Sequence, residues 1–100
     1  MLKDNFIDVI VCLEGYEHVD KNSQSEFIKE AKRVLKNNGL IILTVPLSGK
    51  NGSQTGNVYH IYEPSKSEIK NVLDSNFKEI FTEYVHIPEC EILRYVGQKR

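Results

Sequence analysis

Phe6-Ile7-Asp8-Val9-Ile10-Val11-Cys12-Leu13-Glu14-Gly15-Tyr16-Glu17-His18-Val19 decides how the rest of this sequence is read. Its first eight residues are apolar except for Asp8, and Ile7, Val9, Ile10 and Val11 are β-branched. A short, continuous apolar run of this composition predicts a strand covered on both faces, as in a parallel sheet with helices above and below. Alternation sends Ile7, Val9, Val11 and Leu13 to one face and Phe6, Ile10 and Cys12 to the other. The run stops abruptly at two carboxylates, a phenol and an imidazole: Glu14, Tyr16, Glu17 and His18.

Working outward, a strand of this kind needs a neighbour on each edge, and a parallel crossover takes at least about a dozen residues. Only five residues precede Phe6. One edge of the strand therefore has no partner in this sequence. Either another chain covers it, or the sequence is the later part of a larger domain.

Downstream, Ser23-Gln24-Ser25-Glu26 fits a capping box and predicts a helix start. Phe27, Ile28, Ala31, Val34 and Leu35 follow at helical spacing, with Lys29, Glu30, Lys32, Arg33 and Lys36 toward water. Basic residues in the last turn suit the helix dipole, and Gly39 is the expected left-handed stop. Leu40-Ile41-Ile42-Leu43-Thr44-Val45 is a second apolar strand, closed by Pro46. Strand, helix and strand in this order make a right-handed βαβ unit.

Residues 47–58 are rich in Gly, Ser, Asn and Thr without periodicity, and predict a mobile loop. Gly49, Gly52 and Gly56 lie near Lys50 but lack the GxxxxGK[ST] spacing of a phosphate loop. Ser65-Lys66-Ser67-Glu68 is a second capping box after Pro64, opening a short helix with Ile69, Val72 and Leu73 on its apolar side. Residues 77–87 are β-rich, Pro88-Glu89 turns the chain, and residues 91–98 return as an antiparallel partner. The expected architecture is a single α/β domain over residues 1–100, β-α-β-α-β-β, with a mixed sheet ending in an antiparallel hairpin.

Composition narrows the function classes. Of 100 residues, 40% are hydrophobic and 27% charged, with a net charge of -1. That balance lacks the basic excess of a nucleic-acid or membrane-surface binder. The apolar runs are far too short to span a bilayer and the N-terminus has no signal-peptide pattern, so the expected location is the cytoplasm. Two cysteines, Cys12 and Cys90, form neither a disulfide framework nor a CxxC pair, and read as small reduced hydrophobes.

In open α/β sheets ligands collect beyond the carboxyl ends of the parallel strands. The first strand delivers Glu14, Gly15, Tyr16, Glu17 and His18 to that rim; the second delivers the segment that leads to Tyr59, His60, Ile61, Tyr62 and Glu63. Glu14 and Glu17 either favour the coming helix N-terminus or act on a ligand. His18 either bonds backbone or serves as a base, for which its ordinary pKa is suited. Tyr16, Tyr59 and Tyr62 either pack the loops or contact a substrate. No HxxxH-like spacing supports a metal, and His86 falls in the hairpin as a surface residue.

Together, the first strand with its E-x-x-E-H ending, the helix after it, and Arg33-Val34-Leu35-Lys36-Asn37-Asn38-Gly39 leading into the second strand resemble class I S-adenosylmethionine-dependent methyltransferases. The resemblance continues through His60, Glu63 and the second helix to the terminal hairpin. It implies a partial Rossmann-like fold whose strands are the family's fourth, fifth, seventh and sixth in spatial order, the seventh antiparallel. It also implies S-adenosyl-L-methionine as cofactor, with Cys12, Leu13 and Glu14 beside its methionine part. His18 and Glu17 would be the catalytic pair, and Tyr16, Tyr59 and His60 would face the methyl acceptor. The glycine-rich loop, the ribose-holding acid and the adenine-contacting segment of the family are not in this sequence. The resemblance therefore implies a fragment that binds cofactor weakly by itself, and it assigns the unpaired strand edge to the family's first strand. The alternative is a non-catalytic module that pairs through that edge, as a homodimer or with a partner chain.

Overall fold

The structure, a computed structural model, describes residues 3–13, 20–47, 64–88 and 90–100. Six elements appear in the expected order: β1 (Ile7–Leu13), α1 (Lys21–Val34), β2 (Leu35–Leu47), α2 (Lys66–Asn76), β3 (Phe77–His86) and β4 (Glu91–Lys99). One mixed sheet runs in the order β1-β2-β4-β3. β1 and β2 are parallel, and β4 is antiparallel to both β2 and β3. This is the arrangement that the resemblance implies.

α1 forms where its spacing predicts, but it begins earlier. Asp20, not Ser23, is its N-cap, and the Asp20 carboxylate accepts from the Ser23 backbone N–H at 2.7 Å. A carboxylate at the positive end of a helix makes a charge-assisted bond that a serine one turn later cannot match. Lys32 and Arg33 occupy the last turn. Arg33 is less exposed than its polarity suggests, because it bridges Glu30 at 2.7 Å and Asp4 at 2.5 Å and so ties the N-terminal segment to the helix.

The end of α1 also differs from expectation. Leu35 is already extended, its N–H closing the helix on the Ala31 carbonyl, and Asn38 takes the left-handed conformation with φ 69. Gly39 is needed for closeness rather than for a left-handed stop: a Cβ there would stand 2.8 Å from the Lys36 carbonyl oxygen and 3.1 Å from that of Asp8. The extra residues are absorbed as a register shift between Ile7 and Val9, and β2 continues through Pro46 to Leu47. α2 starts as predicted, with the Ser65 hydroxyl accepting from the Glu68 N–H at 3.2 Å. The hairpin turn is closed by reciprocal backbone bonds between Ile87 and Cys90.

Both helices pack on one side of the sheet. Ile28 and Ala31 of α1, and Ile69 and Leu73 of α2, join Ile41, Leu43, Val45, Leu93 and Tyr95 in one buried cluster. Ile10 and Cys12 of β1 lie against it. Gly97 lets the pieces meet: a Cβ there would fall 2.6 Å from the Tyr95 ring and 2.9 Å from the Phe77 Cβ.

The other side of the sheet corrects the reading of β1. The alternation holds from Val9 to Leu13 but not before the register shift, where Ile7 packs on the core side with Ile10 and Cys12 and Phe6 is exposed; Val9, Val11 and Leu13 are 47, 57 and 60% exposed, and β1 is an edge strand rather than an interior one. Among the described residues, nothing supplies the second layer or the neighbouring strand that its composition calls for. The shortest dimension, 19 Å, is that of one sheet and one helix layer, each about 10 Å thick.

Candidate functional site

Because β1 and β2 are parallel and in register from Val9–Leu40 to Leu13–Thr44, their carboxyl ends open on one rim. The N-termini of both helices reach the same rim. Lys21, the first residue of α1, pairs with Glu68 in the first turn of α2 at 3.5 Å. β4 begins beside them: Glu91 is opposite Leu47 in the sheet and pairs with Lys66 at 3.0 Å. Two helix N-termini directed at the ends of two parallel strands create a region of positive backbone potential, which suits an anionic or polar ligand.

Of the residues singled out from the sequence, Cys12 and Leu13 are described. They occupy the last two positions of β1 and diverge, as neighbours in a strand must. Cys12 faces the helix layer opposite Leu43 and is half-buried, whereas Leu13 projects from the uncovered side opposite Thr44. Leu13 thus offers an apolar side chain at the mouth of the rim. Cys12 packs against the core on the other side of the sheet. Glu14, Tyr16, Glu17, His18, Tyr59 and His60 lie outside the described residues, as do the loop and its glycines. Among the described residues no group of three or more His, Cys, Asp or Glu side chains could hold a metal, and His86 is exposed in the hairpin.

Asp20 is the rim residue that the sequence reading missed. Its carboxyl is held below the usual carboxylate range, chiefly by the Ser23 backbone N–H and further by the Ser23 side chain. The available signal was an aspartate three residues before a serine at the start of a periodic segment. As a capping residue, it fixes where the chain enters α1 from residues 14–19.

Comparison with known proteins agrees with this geometry. Residues 1–43 match the family model of the methyltransferase domain. The chain superposes on 1,6-didemethyltoxoflavin-N1-methyltransferase from Burkholderia thailandensis, solved with 1,6-didemethyltoxoflavin and S-adenosylhomocysteine bound. The TM-score is 0.80 at 14% identity, over 99% of this chain and 46% of that one. A Methanosarcina mazei S-adenosylmethionine-dependent methyltransferase gives 0.75 at 15% identity, over 98% of this chain and 61% of that one. The N-methyltransferase NodS from Bradyrhizobium japonicum, solved with S-adenosyl-L-homocysteine, gives 0.69 at 12% identity, over 95% and 47%. The chain thus spans about half the length of these proteins. Among curated proteins none matches it. Motif, family match and fold converge on a single family, the class I S-adenosylmethionine-dependent methyltransferases, as the one this chain resembles.

Proposed function

We propose that this chain is the C-terminal part of a class I methyltransferase domain and carries one wall of its cofactor and acceptor site. One observation above all supports this reading. The carboxyl ends of two parallel strands and the N-termini of two helices share one rim, in a chain whose first 43 residues match the methyltransferase domain.

Bound S-adenosyl-L-methionine would supply a sulfonium methyl: the acceptor's lone pair forms the new bond to carbon as the carbon–sulfur bond breaks toward sulfur. The part assigned to Cys12, Leu13 and Glu14 is to run beside the methionine portion. Leu13 fits that part because it is apolar and exposed at the strand tip. No described residue supplies a glycine-rich loop or a ribose-holding acid, so the fit is to one wall only. Glu17 and His18 would line the transfer position, His18 taking a proton where the nucleophile carries one. Holding the acceptor in line is the main contribution to rate in such a site. Tyr16, Tyr59 and His60 would contact the acceptor.

We take the acceptor to be a small molecule, a class supported by the bound heterocycle of the Burkholderia enzyme. Location in the cytoplasm is part of the same proposal. No helix among the described residues is long and apolar enough to cross a membrane.

The test is to join the chain to the coding sequence upstream of Met1 and measure cofactor binding and methyl transfer. A glycine-rich motif there, with micromolar S-adenosylmethionine binding, supports the reading. His18→Ala in that protein should lower turnover by about 10²-fold or more if His18 is the base, with binding unchanged. Unchanged turnover would remove that role. The second reading, a non-catalytic module pairing with a copy or a partner chain, is favoured by the open edge of β1.

A further inference from the structure

Two lysines one turn apart on α2 each lie over a tyrosine ring, and they are held very differently. Lys70 Nζ stands 5.7 Å from the centroid of the buried Tyr95 ring and is bonded to both Asp74 and Glu79. Its side chain is 23% exposed. Lys66 Nζ sits closer, 4.3 Å from the centroid of the Tyr84 ring, and pairs with Glu91 at 3.0 Å. That side chain is 53% exposed. Tyr84 packs against the core cluster opposite Leu93, and Glu91 lies two positions before Leu93 in β4. Ring and carboxylate therefore come from adjacent strands and share the helix-bearing side of the sheet.

We propose that Tyr84 and Glu91 form a binding site for a small alkylammonium group, occupied in the free chain by the ammonium of Lys66, and that the methyl acceptor carries such a group. The site rests on this geometry; its assignment to the acceptor rests on the function proposed above. An aromatic face and a carboxylate converging on one ammonium are the two groups that recognise an organic cation. Lys66 is the first residue of α2, where the helix dipole disfavours positive charge. Its ammonium is nevertheless held there, so the ring and the carboxylate make this corner a place for a cation. An amine bound as an ammonium has no lone pair. It anchors the acceptor, and the methylated atom is another one.

Lys66 is displaceable where Lys70 is not. A half-exposed ion pair contributes little, because solvent screens it and a long side chain loses freedom to make it. Release of Lys66 leaves the Ser65 hydroxyl on the Glu68 N–H, so the cap of α2 stays in place. Lys70, by contrast, is pinned between two carboxylates over a ring that is itself buried. The corner also opens in the right place. Glu91 is opposite Leu47 at the carboxyl end of β2, on the rim that the first turn of α2 shares. While Lys66 holds the corner it is a tethered competitor, and a free amine binds with an affinity reduced by the fraction of time the corner is vacant.

The experiment is titration of the isotope-labelled chain with n-butylammonium chloride, followed through backbone amide resonances. Sodium butyrate is the ionic control, and circular dichroism checks the fold of each variant. The expected result is saturable binding in the millimolar range that moves the resonances of Tyr84 and Glu91, with no such shift from butyrate. Lys66→Ala should bind about threefold tighter or more, because the tethered competitor is gone. Glu91→Gln and Tyr84→Leu should each weaken binding by about threefold or more, while Tyr84→Phe keeps the aromatic face and should bind as the parent does. A Lys66→Ala chain that binds no tighter overturns the proposal, as does binding that Glu91→Gln and Tyr84→Leu leave intact. Absence of cofactor binding in the protein joined to its upstream sequence would remove the acceptor assignment and leave the amine site standing. Loss of amine binding with cofactor binding intact would remove the site alone.

Discussion

Within the same sheet, Ile41, Leu43 and Leu93 are fully buried under two helices, while Val11 and Phe81 on the opposite side are about half exposed. Side-chain chemistry does not separate the two faces, since both are mostly aliphatic or aromatic. The difference lies in what the chain supplies to cover each. α1 and α2 both pack on one side, so stability is concentrated there, and among the described residues the other side and the edge of β1 have no cover. A sequence can therefore specify half of a three-layer fold completely and leave the second half of the same sheet waiting for a partner.

The sharpest way to break this contrast is to truncate a residue on each face. Phe77 is fully buried beneath α2 and beside Gly97. Phe77→Ala should cost about 3–5 kcal/mol in urea denaturation, enough to leave little folded protein. Val11→Ala, removing apolar atoms from the open face, should cost within about 0.5 kcal/mol of nothing. Comparable losses at both positions would mean that the open face is covered within the chain. Gly97→Ala comes next, at about 1–3 kcal/mol, because the added methyl collides with both Tyr95 and Phe77. An unchanged midpoint there would mean that the covered face packs more loosely than the contacts show.

Tyr95 gives the smallest effect and the one that depends on pH. Its hydroxyl is buried with no hydrogen-bond partner among the described residues. Burial, helped by the charge of Asp74, pushes its pKa up to about 12 from 10.0. The folded state therefore holds the proton more tightly than the unfolded state. The resulting stability is complete below pH 10 and is lost as pH rises toward 12. Tyr95→Phe should be neutral or up to about 1 kcal/mol stabilising at pH 7, since it removes an unpaired hydroxyl and keeps the ring. It should also flatten the alkaline decline in midpoint between pH 10 and 12. A large destabilisation at neutral pH would reveal a partner for the hydroxyl.

Much of the covered face was legible from the sequence because each signal is local. The spacing of Ile28, Ala31 and Val34 marks a helix face, and Ser65 with Glu68 marks a helix start. Where two local signals competed, the choice depended on energetics that a motif does not display. Asp20 displaced Ser23 as cap of α1 because a carboxylate serves the helix dipole better. Gly39 resembles a left-handed stop, yet Asn38 takes that conformation and Gly39 provides close approach to Asp8. Val11, Ile42, Val96 and Phe81, opposite one another in turn across the open face, were not legible as a row, because that depends on three strand registers and on the irregularity between Glu79 and Phe81. Nor does composition distinguish a strand covered on both faces from one that needs a partner to be so. Of the candidate site, the strand tip was legible where the apolar run ends at Leu13. The polar cluster after it lies outside the described residues.

That the chain holds one wall of a cofactor site, and not the whole of it, is tested most directly by calorimetric titration of the 100-residue chain with S-adenosylmethionine, with its oligomeric state monitored. One wall alone should give no measurable heat of binding at ligand concentrations up to the millimolar range. Micromolar binding to a monomer would contradict it.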